Sequence, residues 1–178
     1  ELSVMPSARF VTHARSQPGT STGATRFELI GDPVFRAEDW RKECVEPNSP
    51  PATADTAPAT PGPRRALPRL PGSRREVLAI EDLAERALPA SRVSTRLGCQ
   101  ATPAALRTAA ATNPDLLHIA THGYVDAYRP RLSALALTQD SPTNGGSATF
   151  GLLDILNMRV GSRLVVLSAC DTSRGRLL

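Results

Sequence analysis

Two rhythms of apolar positions alternate along the chain. Short, nearly unbroken apolar runs, "RFELIGDP" from Arg26, "DLLHIATHG" from Asp115 and "SRLVVLSAC" from Ser162, have the length and composition of strands buried on both faces. Between them, "GSRREVLAIEDLAERALP" from Gly72 repeats its apolar residues at helical spacing, at Val77, Ile80, Leu83, Ala84 and Leu88. Ser73 is expected to cap that helix, Glu76 to complete a capping box and Pro89 to stop it. "TPAALRTAAAT" predicts a second helix, with Thr102 as N-cap, Pro103 at the first helical position and an end near Ala111. "RVSTRL" (Arg92 to Leu97) reads as a half-exposed strand near the sheet edge, "LSALALTQ" (Leu132 to Gln139) as a further strand, and "FGLLDILNMRV" (Phe150 to Val160) as a short amphipathic helix.

Strands that alternate with helices in this way predict an α/β fold, a parallel sheet covered by helices and joined by right-handed crossovers. In such a sheet the ligand-binding edge lies beyond the carboxyl ends of the strands. His122 and Cys170 both fall at carboxyl ends. No internal repeat is visible.

Composition changes this picture mainly in the first half. The 178 residues suffice for one domain, assigned to 26–178, behind a tail at 1–25 that is expected to be disordered apart from a weak strand near Phe10 to His13. Much of the complement of 16 prolines falls in "VEPNSPPATADTAPATPGPRR" (Val45 to Arg65). That run has too few large apolar side chains to offset its ordering entropy, so a Pro-rich insertion is predicted at about 45–70. The first residue is not methionine, and a parallel sheet normally carries flanking cover beyond its last strand. The chain therefore reads as a piece of a longer protein, incomplete at its C-terminus.

The formal charge is +4, with Lys42 the one lysine, a bias that suggests a GC-rich bacterial source. Both signs are interleaved, as in "EDWRKE", which describes a solvated face, so no nucleic-acid partner is expected. No apolar run approaches the roughly 20 residues of a membrane span, and no signal-peptide core opens the chain. Three cysteines, Cys44, Cys99 and Cys170, are an odd number without CxxC spacing. They argue against a disulfide framework and a zinc ribbon, and for a reducing cytoplasm; no cofactor is expected.

Cys170 alone reads as a small core hydrophobe. His122, at the end of another strand, supplies the complementary chemistry: an imidazole can take the proton of a thiol or, once charged, stabilise the thiolate. Gly123 beside it would let a substrate carbonyl approach the backbone. His118 and His122 resemble a metal spacing only on a helix; on a strand, residues four apart lie about 13 Å from each other, so no metal site is expected and His118 reads as structural. His13 carries no signal. Ser168 lies outside any GxSxG elbow and reads as a hydrogen-bonding residue one step deeper in the sheet, and "GDP" at Gly31 to Pro33 reads as a turn.

"LLHIATHGYVDAYRPRLSALAL", "FGLLDILNMRV" and "LVVLSACDTSRG" together resemble the successive motifs of the CHAT domain, a caspase-like family of cysteine peptidases of clan CD. "FELIGDPVF" and "LPRLPGSRREVLAIEDLA" are similar to that family's upstream strand and first helix, so the resemblance runs from about Phe27 onward. It implies a caspase-like three-layer sandwich with a mostly parallel sheet and a His122/Cys170 dyad, in which Cys170 attacks a peptide carbonyl and His122 is the general acid and base. The N–H groups of Gly123 and Cys170 would stabilise the oxyanion. The substrate would be a protein or peptide, and the partner a linked tetratricopeptide or other sensor module. Asp171 matches a position usually acidic in the family; a carboxylate beside the thiol would oppose thiolate formation, so it is given no catalytic role. The family continues past this motif with further strands. Two other readings stay open: a non-catalytic interaction domain of CHAT type, and a flavodoxin-like regulatory or nucleotide-binding domain.

Overall fold

The computed structural model describes residues 24–36, 39, 42–44, 67–126, 128–139 and 147–170. Within them the elements run β1 (Arg26–Gly31), α1 (Pro71–Ala87), β2 (Arg92–Leu97), α2 (Pro103–Ala111), β3 (Leu116–Tyr124), β4 (Ala134–Thr138), β5 (Ser147–Gly151), α3 (Leu152–Leu156) and β6 (Leu164–Cys170). The expected tail, its weak strand near Phe10, the stretch Val45 to Arg65 and Asp171 lie outside the described residues.

The apolar runs become the strands of the parallel part. β1 pairs in parallel with β2 on one side and β3 on the other, and β3 pairs in parallel with β6. Past this region the last residues of β3, Gly123 and Tyr124, pair antiparallel with β4, which pairs antiparallel with β5. The sheet is therefore mixed and the fold α/β. β2 stands at the end of the strand order, as its polar alternation implies.

Alternation along β1 and β3 sends side chains to two cores. Ile30, Leu117 and Ile119 pack with Leu106, Ala109 and Ala110 of α2 and with Phe150. Leu29 and Ala120 pack with Val77 of α1, and Phe27, Leu116 and Ile80 close around them. Each fully buried Val, Leu, Ile or Phe contributes roughly 1.5–3 kcal/mol, so these two layers hold the helices to the sheet. Gly31 ends β1 where α1 crosses: a Cβ there would lie 2.7 Å from Val77 Cγ2 and 3.3 Å from the Ser73 carbonyl.

α2 follows its sequence signals, with the Thr102 side chain accepting from the Ala105 N–H and proline at the start. α1 departs from them. Its N-cap is Leu70 with no side-chain cap, Pro71 opens the helix, and Ser73 lies inside the first turn. Ser73 Oγ instead accepts the Asp32 N–H at 2.9 Å and donates to the Leu70 carbonyl at 2.8 Å, tying the helix start to the end of β1. Val77 and Ala84 are buried as the stripe requires, but Leu83 and Leu88 are exposed, because only one narrow face of α1 meets the sheet.

Two further expectations are corrected. β5 has no counterpart in the sequence reading; it absorbs Phe150 and Gly151, so the helix begins only at Leu152. Along one edge its backbone pairs with β4, and Phe150 is its one large apolar side chain, fully buried. Cys44 and Cys99 form a disulfide, with Sγ–Sγ 2.03 Å. The odd cysteine count points away from one, so the expectation of a reducing cytoplasm loses that basis. Among the described residues no helix is long and apolar enough to cross a membrane.

Candidate active site

β3 is longer than its apolar run, since pairing with β4 carries the strand through His122 and Gly123 to Tyr124. His122 thus stands two residues beyond the last pairing of β3 with β1, at Ala120, and still within its pairing with β6. The partner of His122 in that parallel register is Cys170, the last residue of β6. The two candidate residues are brought together as register neighbours on adjacent strands; the Cys170 side chain lies outside what is described.

Two contacts fix the His122 ring. Phe35, buried after β1, has its ring centroid 5.3 Å from that of His122, tilted by 50°. His122 Nε2 lies 2.9 Å from the carbonyl oxygen of Pro68. A carbonyl can only accept, so Nε2 carries the hydrogen, and in the neutral ring the lone pair that can receive a proton is on Nδ1. Pro68 falls in the segment at about 45–70 read as insertion, whose last residues instead pack on the site. No side-chain motif could have flagged it, because the group that acts is a main-chain carbonyl.

The loops around His122 are tied down by buried polar groups. Thr138, fully buried at the end of β4, accepts the Val34 N–H at 2.8 Å and donates to the Gly98 carbonyl at 2.7 Å, joining the turns after β1 and β2. Asp32, buried beside Gly31, receives Arg69 Nε at 2.7 Å, Arg69 Nη2 at 2.9 Å and Arg74 Nε at 2.7 Å. Glu43 takes Arg69 Nη1 at 2.5 Å and Nη2 at 3.0 Å. Hydrogen bonding to Glu43, opposed by burial and helped by Asp32, holds the Arg69 guanidinium protonated even more firmly than usual. None of these acids carried a signal in the sequence, where "GDP" read only as a turn.

Gly123 sits where strands pack closely. A Cβ there would lie 3.1 Å from Ala169 Cβ on β6 and 3.8 Å from Leu135 Cδ2 on β4, so the glycine lets three strands meet beside His122. His118, four residues earlier, is buried against α1, its Nε2 3.2 Å from Glu76 Oε1 but off hydrogen-bond geometry. Burial lowers its pKa from the ordinary value, against the opposing pull of Glu76. Ser168 donates to Glu76 Oε2 at 3.0 Å, a sheet-to-helix bond consistent with a structural role. A groove of about 470 Å³ opens beside Arg107, Asn113, Asp154 and Arg159, at the amino end of β3 and so at the opposite end of that strand from His122.

No curated protein and no solved structure matches the chain. A family model for the CHAT domain matches residues 1–178, including the tail left outside the resemblance read from the sequence. With His122 and Cys170 in register at the carboxyl edge of its sheet, the chain belongs to the CHAT domain family.

Proposed function

We propose that the protein is a cysteine endopeptidase of the caspase-like CHAT type, with its sheet and helices forming part of a caspase-like three-layer sandwich. Cys170 is the nucleophile and His122 the general acid and base. The observation that carries this is the His122–Cys170 register pair on adjacent parallel strands. The Pro68 carbonyl supports it by holding the hydrogen on Nε2 and leaving Nδ1 to take the thiol proton.

In this mechanism the thiolate attacks the peptide carbonyl, the oxyanion is met by the N–H groups of Gly123 and Cys170, and the imidazolium returns the proton to the leaving amine. Each oxyanion donor is worth about 3–4 kcal/mol in comparable sites. The substrate is a protein or peptide, and a linked sensor module controls access to it. Adjacency of β3 and β6 speaks against the flavodoxin-like alternative, which needs no such pair.

Alkylation by iodoacetamide under non-reducing conditions reads Cys170 alone, with Cys44 and Cys99 paired. The expected result is rapid labelling at about pH 6–7, below the ordinary thiol pKa near 8.5, and slow labelling after His122→Ala. A pH profile of an ordinary thiol, indifferent to His122, would overturn the reading in favour of a non-catalytic interaction domain.

A further inference from the structure

His122 is oriented by the carbonyl of Pro68, yet Pro68 belongs to no helix or strand that would hold that carbonyl in place. The proline ring fixes its own φ, so the direction of the carbonyl is decided by the next rotations along the chain, those leading into Arg69. Arg69 is the most heavily anchored side chain in the segment. Its fork meets both oxygens of Asp32 and both oxygens of Glu43.

Asp32 is suited to be the fixed end. Its side chain is 3% exposed, its N–H is bound by Ser73 of α1, and Arg74 of the same helix binds one carboxylate oxygen. It follows Gly31, which packs so closely under α1 that a Cβ there would lie 2.7 Å from Val77 Cγ2. We propose that Asp32 and Arg69 are positioning residues for His122: the carboxylate at the end of β1 grips the guanidinium, which fixes the Pro68 carbonyl on Nε2 and so selects the imidazole tautomer. The proposal rests on reading His122 as the base of the dyad.

A bidentate, charge-assisted grip resists rotation about the guanidinium, which a single bond would allow. Lysine could keep the charge at position 69 but not the fork, so a purely electrostatic role and a positioning role separate at that substitution. A merely structural ion pair would change stability on removal and leave the His122 tautomer alone.

The test is imidazole nitrogen NMR on the full chain, with His122 signals assigned by their loss in His122→Ala. Wild type is expected to show the hydrogen on Nε2. Arg69→Ala should give a mixture of tautomers and slow Cys170 alkylation by about tenfold, as loss of a catalytic orientation does. Methylguanidinium at about 10 mM should restore part of both, and Arg69→Lys should restore neither. An Arg69→Ala protein that keeps the wild-type tautomer overturns the proposal, whatever its melting temperature. If that variant does not fold, Arg69→Lys decides by the same signals: an unchanged tautomer overturns the proposal. Slow, His122-independent labelling of wild-type Cys170 would sink the peptidase reading instead, and the tautomer result would still stand on its own.

Discussion

His118 and His122 lie on one face of β3, four residues apart, and the strand treats them differently. The first is in the middle, under α1, with a carboxylate from the helix beside it and its pKa lowered by burial. The second is past the end of β1, partly open, held by a proline carbonyl and the tilted ring of Phe35. The same side chain is a packing residue where helices cover the sheet and a candidate base where the cover ends. What decides is the distance along the strand from its last covered neighbour.

Exchanging roles would break this comparison most visibly. His122→Ala is expected to slow Cys170 alkylation by between about 10² and 10⁴, the range for loss of a general base, with little change in urea midpoint. His118→Ala should do the reverse, costing about 1–3 kcal/mol of stability and leaving the reactivity close to wild type. Equal effects of the two on reactivity would erase the distinction.

A second effect should fall on the end of the strand and spare its middle. Cys44 and Cys99 are 55 residues apart, and a cross-link of that span removes about 4 kcal/mol of unfolded-state freedom on the chain-entropy account. Reduction with a dithiol should lower stability by up to that amount in urea titrations. Hydrogen exchange should rise around Cys44, Gly98 and the Leu67 to Leu70 segment before it rises at His118. A uniform rise would mean that the two regions open together.

The third is a pH effect confined to His118. Its folded pKa is below the ordinary value of 6.5, so as pH falls the unfolded chain takes up a proton first. Its contribution to stability is complete above about pH 6.5 and is lost below it, by at most about 1.4 kcal/mol per unit, until the folded ring protonates as well. The groups facing it are Glu76 of α1 and, through that carboxylate, the Ser168 hydroxyl of β6. Glu76→Gln removes the charge that favours the imidazolium, so the difference between it and wild type in urea unfolding should grow below pH 6.5. His118→Gln should flatten the same window.

The sequence made much of this contrast legible. β1, β3 and β6 announce themselves as apolar runs because burial on both faces leaves no alternation to hide them, and Thr102-Pro103 marks α2 by local chemistry. His122 and Cys170 could be paired because both end such runs. What was not legible depends on partners remote in the chain. Ser73 has the look of a cap, but its hydroxyl goes to the end of β1. β5 exists through β4, although the Asn144-Gly145-Gly146 run before it is a turn signal that could have marked it. Pro68 acts through its backbone, and the Asp32–Arg69–Glu43 cluster joins three segments that composition alone divides into strand, insertion and loop.

The smallest expected effect tests why glycine follows His122. If Gly123 serves packing, Gly123→Ala must push β3 from β6 by a few tenths of an ångström, because its Cβ would stand 3.1 Å from that of Ala169. Overpacking of this size costs about 1 kcal/mol. The displacement falls on the strand pair that carries His122 and Cys170, so alkylation of Cys170 should slow several-fold, while the pH dependence assigned to His118 stays as in wild type. Ala169→Gly in the same chain removes the opposing methyl and should restore the alkylation rate. Restoration shows that strand spacing sets the reactivity. A double variant that regains stability while its Cys170 alkylation stays slow would return the glycine to the role of leaving space beside His122, with the cost arising at the site and not in the sheet.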